Sequence, residues 1–155
     1  MLSQELVDLL ESGVSMLVAS RDAQRMPECA RAVGVRVHPD RATVTVYVPA
    51  AMATRLAQNV AIEPRVAASF SRVHDHRSYQ LKGHATVRDA REDERALVES
   101  YRTSFASSLD LAGIPRRLTM RTRVWPAVAI DLTVTDVFAQ TPGPGAGERI
   151  GGTST

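Results

Sequence analysis

The chain has 155 residues, 44% of them apolar and 23% charged, a length and balance that suit one folded domain with one core and argue against a disordered or membrane-spanning chain. The formal charge of +2 is too small to imply a nucleic-acid-binding tract. Cys29 is the single cysteine, which excludes an intrachain disulfide and predicts a buried, inert thiol in a reducing, cytoplasmic setting. The opening Met1-Leu2-Ser3-Gln4-Glu5 has no basic flank or apolar run of the export type, and no stretch is apolar enough to span a bilayer.

Leu2, Leu6, Leu9 and Leu10 recur at helical spacing among acids, which predicts an amphipathic first helix, ended by Gly13, that lids one end of a core. A strand is predicted from Val14 to Ser20, a turn over Arg21–Pro27, and a returning strand over Glu28–Val37, where Val33, Val35 and Val37 alternate with Gly34 and Arg36. After the turn His38-Pro39-Asp40-Arg41, Val44, Val46 and Val48 alternate with Thr43, Thr45 and Tyr47, predicting a third strand of the meander with unlike faces.

Pro49 stops that strand, and alanine-rich Ala51–Ile62 predicts a short helix before Pro64. Strands follow over Val66–Ser71 and, after a polar loop from Arg72 to Arg77, over Ser78–Arg88, in which Gly83 marks a bulge or barrel bend. Leu97, Tyr101, Phe105 and Leu109 at four-residue intervals predict a second long helix over Glu92–Leu109 with one buried face, and Ala127–Phe138 alternates as a final strand. Residues 1–140 therefore read as one domain, mainly β with flanking helices: about six strands forming a small antiparallel barrel. Residues 141–155 form a Gly/Pro-rich tail, a flexible or turn-rich arm that lacks the Lys-Ser/Thr of a nucleotide loop.

Four segments carry the functional reading: Arg31-Ala32-Val33-Gly34-Val35-Arg36, then Tyr47-Val48, then Thr54-Arg55, then Tyr79-Gln80-Leu81-Lys82-Gly83. In this order they resemble the pyridoxamine 5'-phosphate oxidase-like, FMN-binding split β-barrel family, over roughly Val14–Val137. The resemblance implies a six-stranded antiparallel split barrel and a homodimer with FMN between the subunits. It puts Arg31, Ala32, Val33 and Arg36 on flavin-contacting positions of the first segment, Tyr47 and Val48 where backbone groups meet the cofactor, Thr54 and Arg55 on the phosphate, and Gln80 on the flavin. A guanidinium, a hydroxyl and the free N–H groups of a helix start are a sound phosphate cradle, and Thr54-Arg55 is expected near such a start. Leu56 and Arg36 stand where the family pattern has lysines.

The implied activity is FMN-dependent oxidoreduction of a small molecule, for which the flavin supplies the chemistry and no acid, base or nucleophile motif is required. The alternative is a non-catalytic protein of the same fold that binds a flavin, a deazaflavin or haem. His74-Asp75-His76 has alternate imidazoles that could share a metal with Asp75 orienting one, but without a third ligand it reads as a surface loop; His74 or His76 could instead contact substrate or cofactor. His84, following Gly83, is the conceivable haem ligand. The near-exclusive use of arginine, with Lys82 the only lysine, is the codon usage of a GC-rich bacterial genome.

Overall fold

Ser3 opens the first helix of the computed structural model, whose described residues are 1–152. Its hydroxyl accepts the Leu6 N–H, satisfying one donor that a helix start leaves unpaired. Helix α1 (Gln4–Leu10) buries Leu6, Leu9 and Leu10 as expected. Gly13 then adopts φ +74°, and a Cβ there would sit 2.8 Å from the Ser104 Cβ, so glycine is required on both counts.

The strands are β1 (Ser15–Arg21), β2 (Pro27–Arg31), β3 (Gly34–Val37), β4 (Thr43–Pro49), β5 (Arg65–Ser71), β6 (Ser78–Asp89), β7 (Ala127–Ala139) and β8 (Arg149–Gly152). They form one antiparallel sheet of eight strands in the order β2-β1-β5-β6-β7-β4-β3, with β8 added to β7. The two ends of this path, β2 and β3, are consecutive in the chain. Between them Ala32 donates its N–H to the Met16 carbonyl on β1 and Val33 to the Tyr47 carbonyl on β4, at 3.1 and 2.7 Å. The single strand expected over Glu28–Val37 is therefore two: the chain leaves one edge of the curved sheet at Arg31 and joins the other at Gly34.

A covalent link, where a continuous barrel would have a ladder, thus connects the two edges, and the fold is a split β-barrel flanked by helices. This break, together with β8, raises the strand number above the expected six. Along the expected tail, residues 141–148 are turns and loop and Arg149–Gly152 returns beside β7; residues 153–155 of that segment lie outside the described residues.

Met16, Val18, Phe70, Leu81, Val46, Ile130 and Leu132 belong to one contiguous core. Helix α2 (Ala50–Ile62) presents Ala53, Leu56 and Val60 to it. A 3-10 turn (Glu92–Glu94) leads into α3 (Arg95–Leu111), which buries Val98 and Tyr101. The Tyr101 hydroxyl donates to the Val14 carbonyl at 2.5 Å, and Phe105 stacks on its ring at 5.7 Å. A short α4 (Arg116–Thr119), not expected from the sequence, follows.

Gly83 does mark a bulge: the β6–β7 register shifts between Lys82 and Gly83, and a Cβ on Gly83 would lie 1.9 Å from the Thr133 carbonyl oxygen. Cys29, expected to be buried, is exposed, because the two-residue period that turns Ala30 inward turns its neighbour outward. Among the described residues no helix is long and apolar enough to cross a membrane.

Candidate functional site

The nine residues expected at a cofactor separate into four environments. Arg31 and Gln80 share the outer face of the sheet. Leu17 pairs with Arg31 and with Ser69, and Ser69 pairs with Gln80, so the four form one cross-strand row over β2, β1, β5 and β6. Three strand spacings separate its ends by about 14 Å. The Arg31 guanidinium donates to Ser15 Oγ at 3.0 Å and lies 6.0 Å over the Phe105 ring, while the Gln80 amide donates to Ser69 Oγ at 3.2 Å. The next row, Ala19 and Ala67 between Cys29 and Lys82, has only methyl groups at its centre.

Thr54 and Arg55 sit on the solvent side of α2. The helix begins at Ala50, so the donors free of intrahelical partners belong to its first turn, and Thr54 and Arg55 lie one turn further on. The helix-start contribution expected for them is absent; they present side chains only. Arg55 is 76% exposed in its side chain and reaches Glu28 at 3.5 Å, a pair loose enough to yield to a ligand. Leu56, where the family pattern has lysine, is fully buried in the core, so this position faces the wrong way to touch a phosphate.

Ala32, Val33 and Val48 are core residues. Arg36 and Tyr47 belong to a polar network beneath the start of α3. Tyr47, expected on a strand face unlike its valines, is as buried as they are, because the 3-10 turn and α3 cover that face. Its hydroxyl donates to Glu94 Oε1 at 3.0 Å. Arg88 donates to both oxygens of Glu94 at 2.8 and 2.9 Å and to Asp131 at 2.8 Å, and the Arg91 N–H adds a further bond to Glu94 at 2.8 Å.

Thr45 gives its proton to Asp131 at 2.6 Å, so His38, 2.8 Å from the same hydroxyl oxygen, must be the donor there through Nε2. Arg36 stands 3.8 Å from Glu94. The bonds from Arg88 outweigh burial and hold the Glu94 carboxyl at about 2, below its ordinary 4.5; burial, then the neighbouring Glu94, pushes the Tyr47 hydroxyl up to about 12. Every acceptor is met, and the network ties α3 to β4, β6 and β7. Nothing in residue order alone pairs these charges, because Arg88, Glu94 and Asp131 come together only through the β6–β7 register and the 3-10 turn.

His74 and His76 are exposed in the loop between β5 and β6. Asp75 does not orient either imidazole. It is held by Arg72 at 2.5 Å, which keeps its carboxyl well below the usual range, and His74 is 3.9 Å away. Among the described residues no three His, Cys, Asp or Glu side chains gather as a metal site.

A cavity of about 910 Å³ opens on the outer face where the β1–β2 hairpin meets β5 and β6. Arg21, Arg25, Arg65, Lys82 and His84 line it over a floor that includes Ala19, Ala67 and Gly83. None of the nine expected cofactor residues lines it.

Among solved structures, HupZ from Group A Streptococcus superposes with a TM-score of 0.60 at 20% identity, covering 95% of this chain and 100% of its own. The chain shares the split-barrel fold. A Clostridium acetobutylicum protein related to general stress protein 26, of the pyridoxinephosphate oxidase family, gives a TM-score of 0.57 at 12% identity over 94% of this chain and 92% of its own. An F420 reductase gives 0.52 at 14% identity over 84% and 93%. No family model and no curated protein matches the chain.

Proposed function

We propose that this split barrel is an FMN-dependent oxidoreductase acting on a small molecule, with the flavin held between two copies of the chain. The observation that carries the reading is the outer row Arg31-Leu17-Ser69-Gln80 beside the alanine row. Two polar side chains with hydrogen-bonding capacity flank a shallow surface of small and apolar groups, which suits a flat ring with polar edges. The same half-exposed face offers a second copy a surface to pack on.

The donor set fits a flavin in part. Arg31 and Gln80 would orient the ring edge, and Thr54 with Arg55 would hold the phosphate by one hydroxyl and one guanidinium fork. A bound flavin would supply the hydride or electron transfer; the chain supplies position, charge and exclusion of water. With Leu56 in the core, Arg55 is the one cation that α2 offers the phosphate beside the Thr54 hydroxyl, which favours modest FMN affinity.

Titration of the protein with FMN, following flavin fluorescence and native mass together, tests this. Saturable quenching at one flavin per subunit of a dimer supports it. An intact dimer that leaves FMN fluorescence unchanged overturns the flavin assignment while leaving the fold untouched.

A further inference from the structure

We propose that the segment joining α3 to α4 and running on past it is a membrane-docking face, which seats reversibly on a bilayer rich in anionic phospholipid. This goes beyond the flavin reading and uses none of the nine residues expected at the cofactor.

The positive charge of the chain is concentrated there. From Leu111 to Ile130 the sequence has four arginines, Arg116, Arg117, Arg121 and Arg123, and no acid, whereas the whole chain has a formal charge of only +2. The remainder of the chain is therefore net acidic. All four arginines are exposed, and among the described residues no carboxylate pairs with any of them. Arg116 donates instead to the Ser107 hydroxyl. On the adjoining part of α3, Glu99 is taken by Arg102 at 2.5 Å, and Asp110 is exposed and pairs with none of the four.

Apolar groups fall in the same segment. Leu111, Ile114 and Leu118 are 83%, 42% and 50% exposed. Large apolar side chains exposed singly are ordinary on a protein surface, and elsewhere in this chain they come singly. Here they recur within one short segment, next to uncompensated cations. That combination separates an interfacial segment from a solvated basic stretch.

The segment is also fixed and outward-facing. The chain leaves α3 through the Ile114 N–H on the Leu109 carbonyl and the Gly113 N–H on the Asp110 carbonyl, at 2.9 and 3.0 Å. A Cβ on Gly113 would meet nothing within 4 Å, so the turn stands clear of the barrel. Arg102 reaches from α3 to the Met120 and Thr122 carbonyls at 3.3 and 3.2 Å, which fastens the stretch after α4 from beneath. Little ordering is left to be done on binding.

A projecting turn, and not a groove, selects the occupant. Phosphate contacts with a nucleic acid would use the arginines and leave the three apolar side chains in water, and an acidic polypeptide would likewise meet the charge alone. The boundary between acyl chains and anionic headgroups takes both, since each arginine is attracted to the surface and each apolar side chain leaves water.

Sedimentation of the full chain with vesicles of phosphatidylcholine alone, or of an equal mixture with phosphatidylglycerol, tests the assignment. Arg117→Gln with Arg121→Gln and Arg123→Gln removes the charge, and Leu111→Ser with Leu118→Ser removes the apolar tip. Arg25→Gln with Arg41→Gln and Arg65→Gln is the charge-matched control. Every substituted side chain is exposed, and the melting temperature verifies that each variant is folded. Binding to the mixed vesicles alone, weakened at least about tenfold in both face variants and unchanged in the control, is the expected result. No binding to mixed vesicles, equal binding to neutral ones, an equal loss in the control, or undiminished binding of the leucine variant overturns it. So does tighter binding of poly-glutamate than of vesicles, indifferent to the leucine substitutions, which would assign the face to an acidic protein.

Discussion

Tyr47 donates its hydroxyl proton to Glu94 across 3.0 Å, and neither side chain is more than 1% exposed. The bond runs from the centre of β4 to the last residue of the 3-10 turn that leads into α3, so it fastens a helix to the barrel. A hydrogen bond to a buried carboxylate is worth roughly 1.5–3 kcal/mol. Tyr47→Phe should therefore lower unfolding free energy by about 2 kcal/mol, read by urea denaturation. Since only backbone groups of this residue are assigned to the flavin, FMN affinity should be unaltered; a folded variant with unchanged stability would show that the bond contributes nothing.

Glu94 makes the fold acid-sensitive in a defined window. Its carboxyl titrates at about 2 in the native state against an ordinary 4.5, so the unfolded chain takes up the proton first as pH falls. The resulting stabilisation, on the order of 3 kcal/mol, is fully present above pH 4.5 and is lost as pH drops through the interval towards 2. In Glu94→Gln this part of the acid limb should flatten, and the variant should be less stable than the unaltered protein at neutral pH. Denaturation midpoints collected from pH 6 downward measure it, and parallel pH profiles would assign the acid sensitivity to other carboxylates.

Arg55 is the chief cationic candidate for the flavin phosphate on α2, and its present partner Glu28 is 3.5 Å away. Arg55→Ala should weaken FMN binding by roughly 1.5–3 kcal/mol, about 10- to 150-fold, with little change in melting temperature because exposed pairs contribute little. Unchanged FMN affinity in fluorescence titration would remove Arg55 from the site.

Gly83 has no room for a side chain. A methyl group there would meet the backbone oxygen of Thr133 at 1.9 Å, an atom that cannot swing aside. Gly83→Ala should destabilise the protein by about 2–3 kcal/mol or more through forced backbone movement at the bulge. Thermal unfolding reads the effect; a melting temperature equal to that of the unaltered chain would mean the bulge relaxes freely.

Much of the architecture was legible in residue order. The leucines of α1, the valines of β4 and the alternation of β7 each carry their period locally, because side-chain direction repeats every 3.6 residues in a helix and every two in a strand. Gly83 could be read as a bend for the same reason, since a glycine inside an alternating strand signals a crowded backbone. The break at Ala32-Val33 could not be read. Both residues are apolar and continue the strand pattern, and what interrupts it is the transfer of hydrogen bonds from Met16 to Tyr47, two partners on opposite edges of the sheet.

The site divides along the same line. The resemblance singled out Arg31, Arg55 and Gln80 as candidates and set Leu56 against a lysine, since a family pattern compares residues at matching positions along the chain. That Leu56 belongs to the core, that Tyr47 serves Glu94, and that Arg21, Arg65 and His84 rim one cavity were decided by tertiary structure alone. Strand pairing sets which distant residues become neighbours and therefore how their charges sum, and an isolated stretch of chain contains neither quantity.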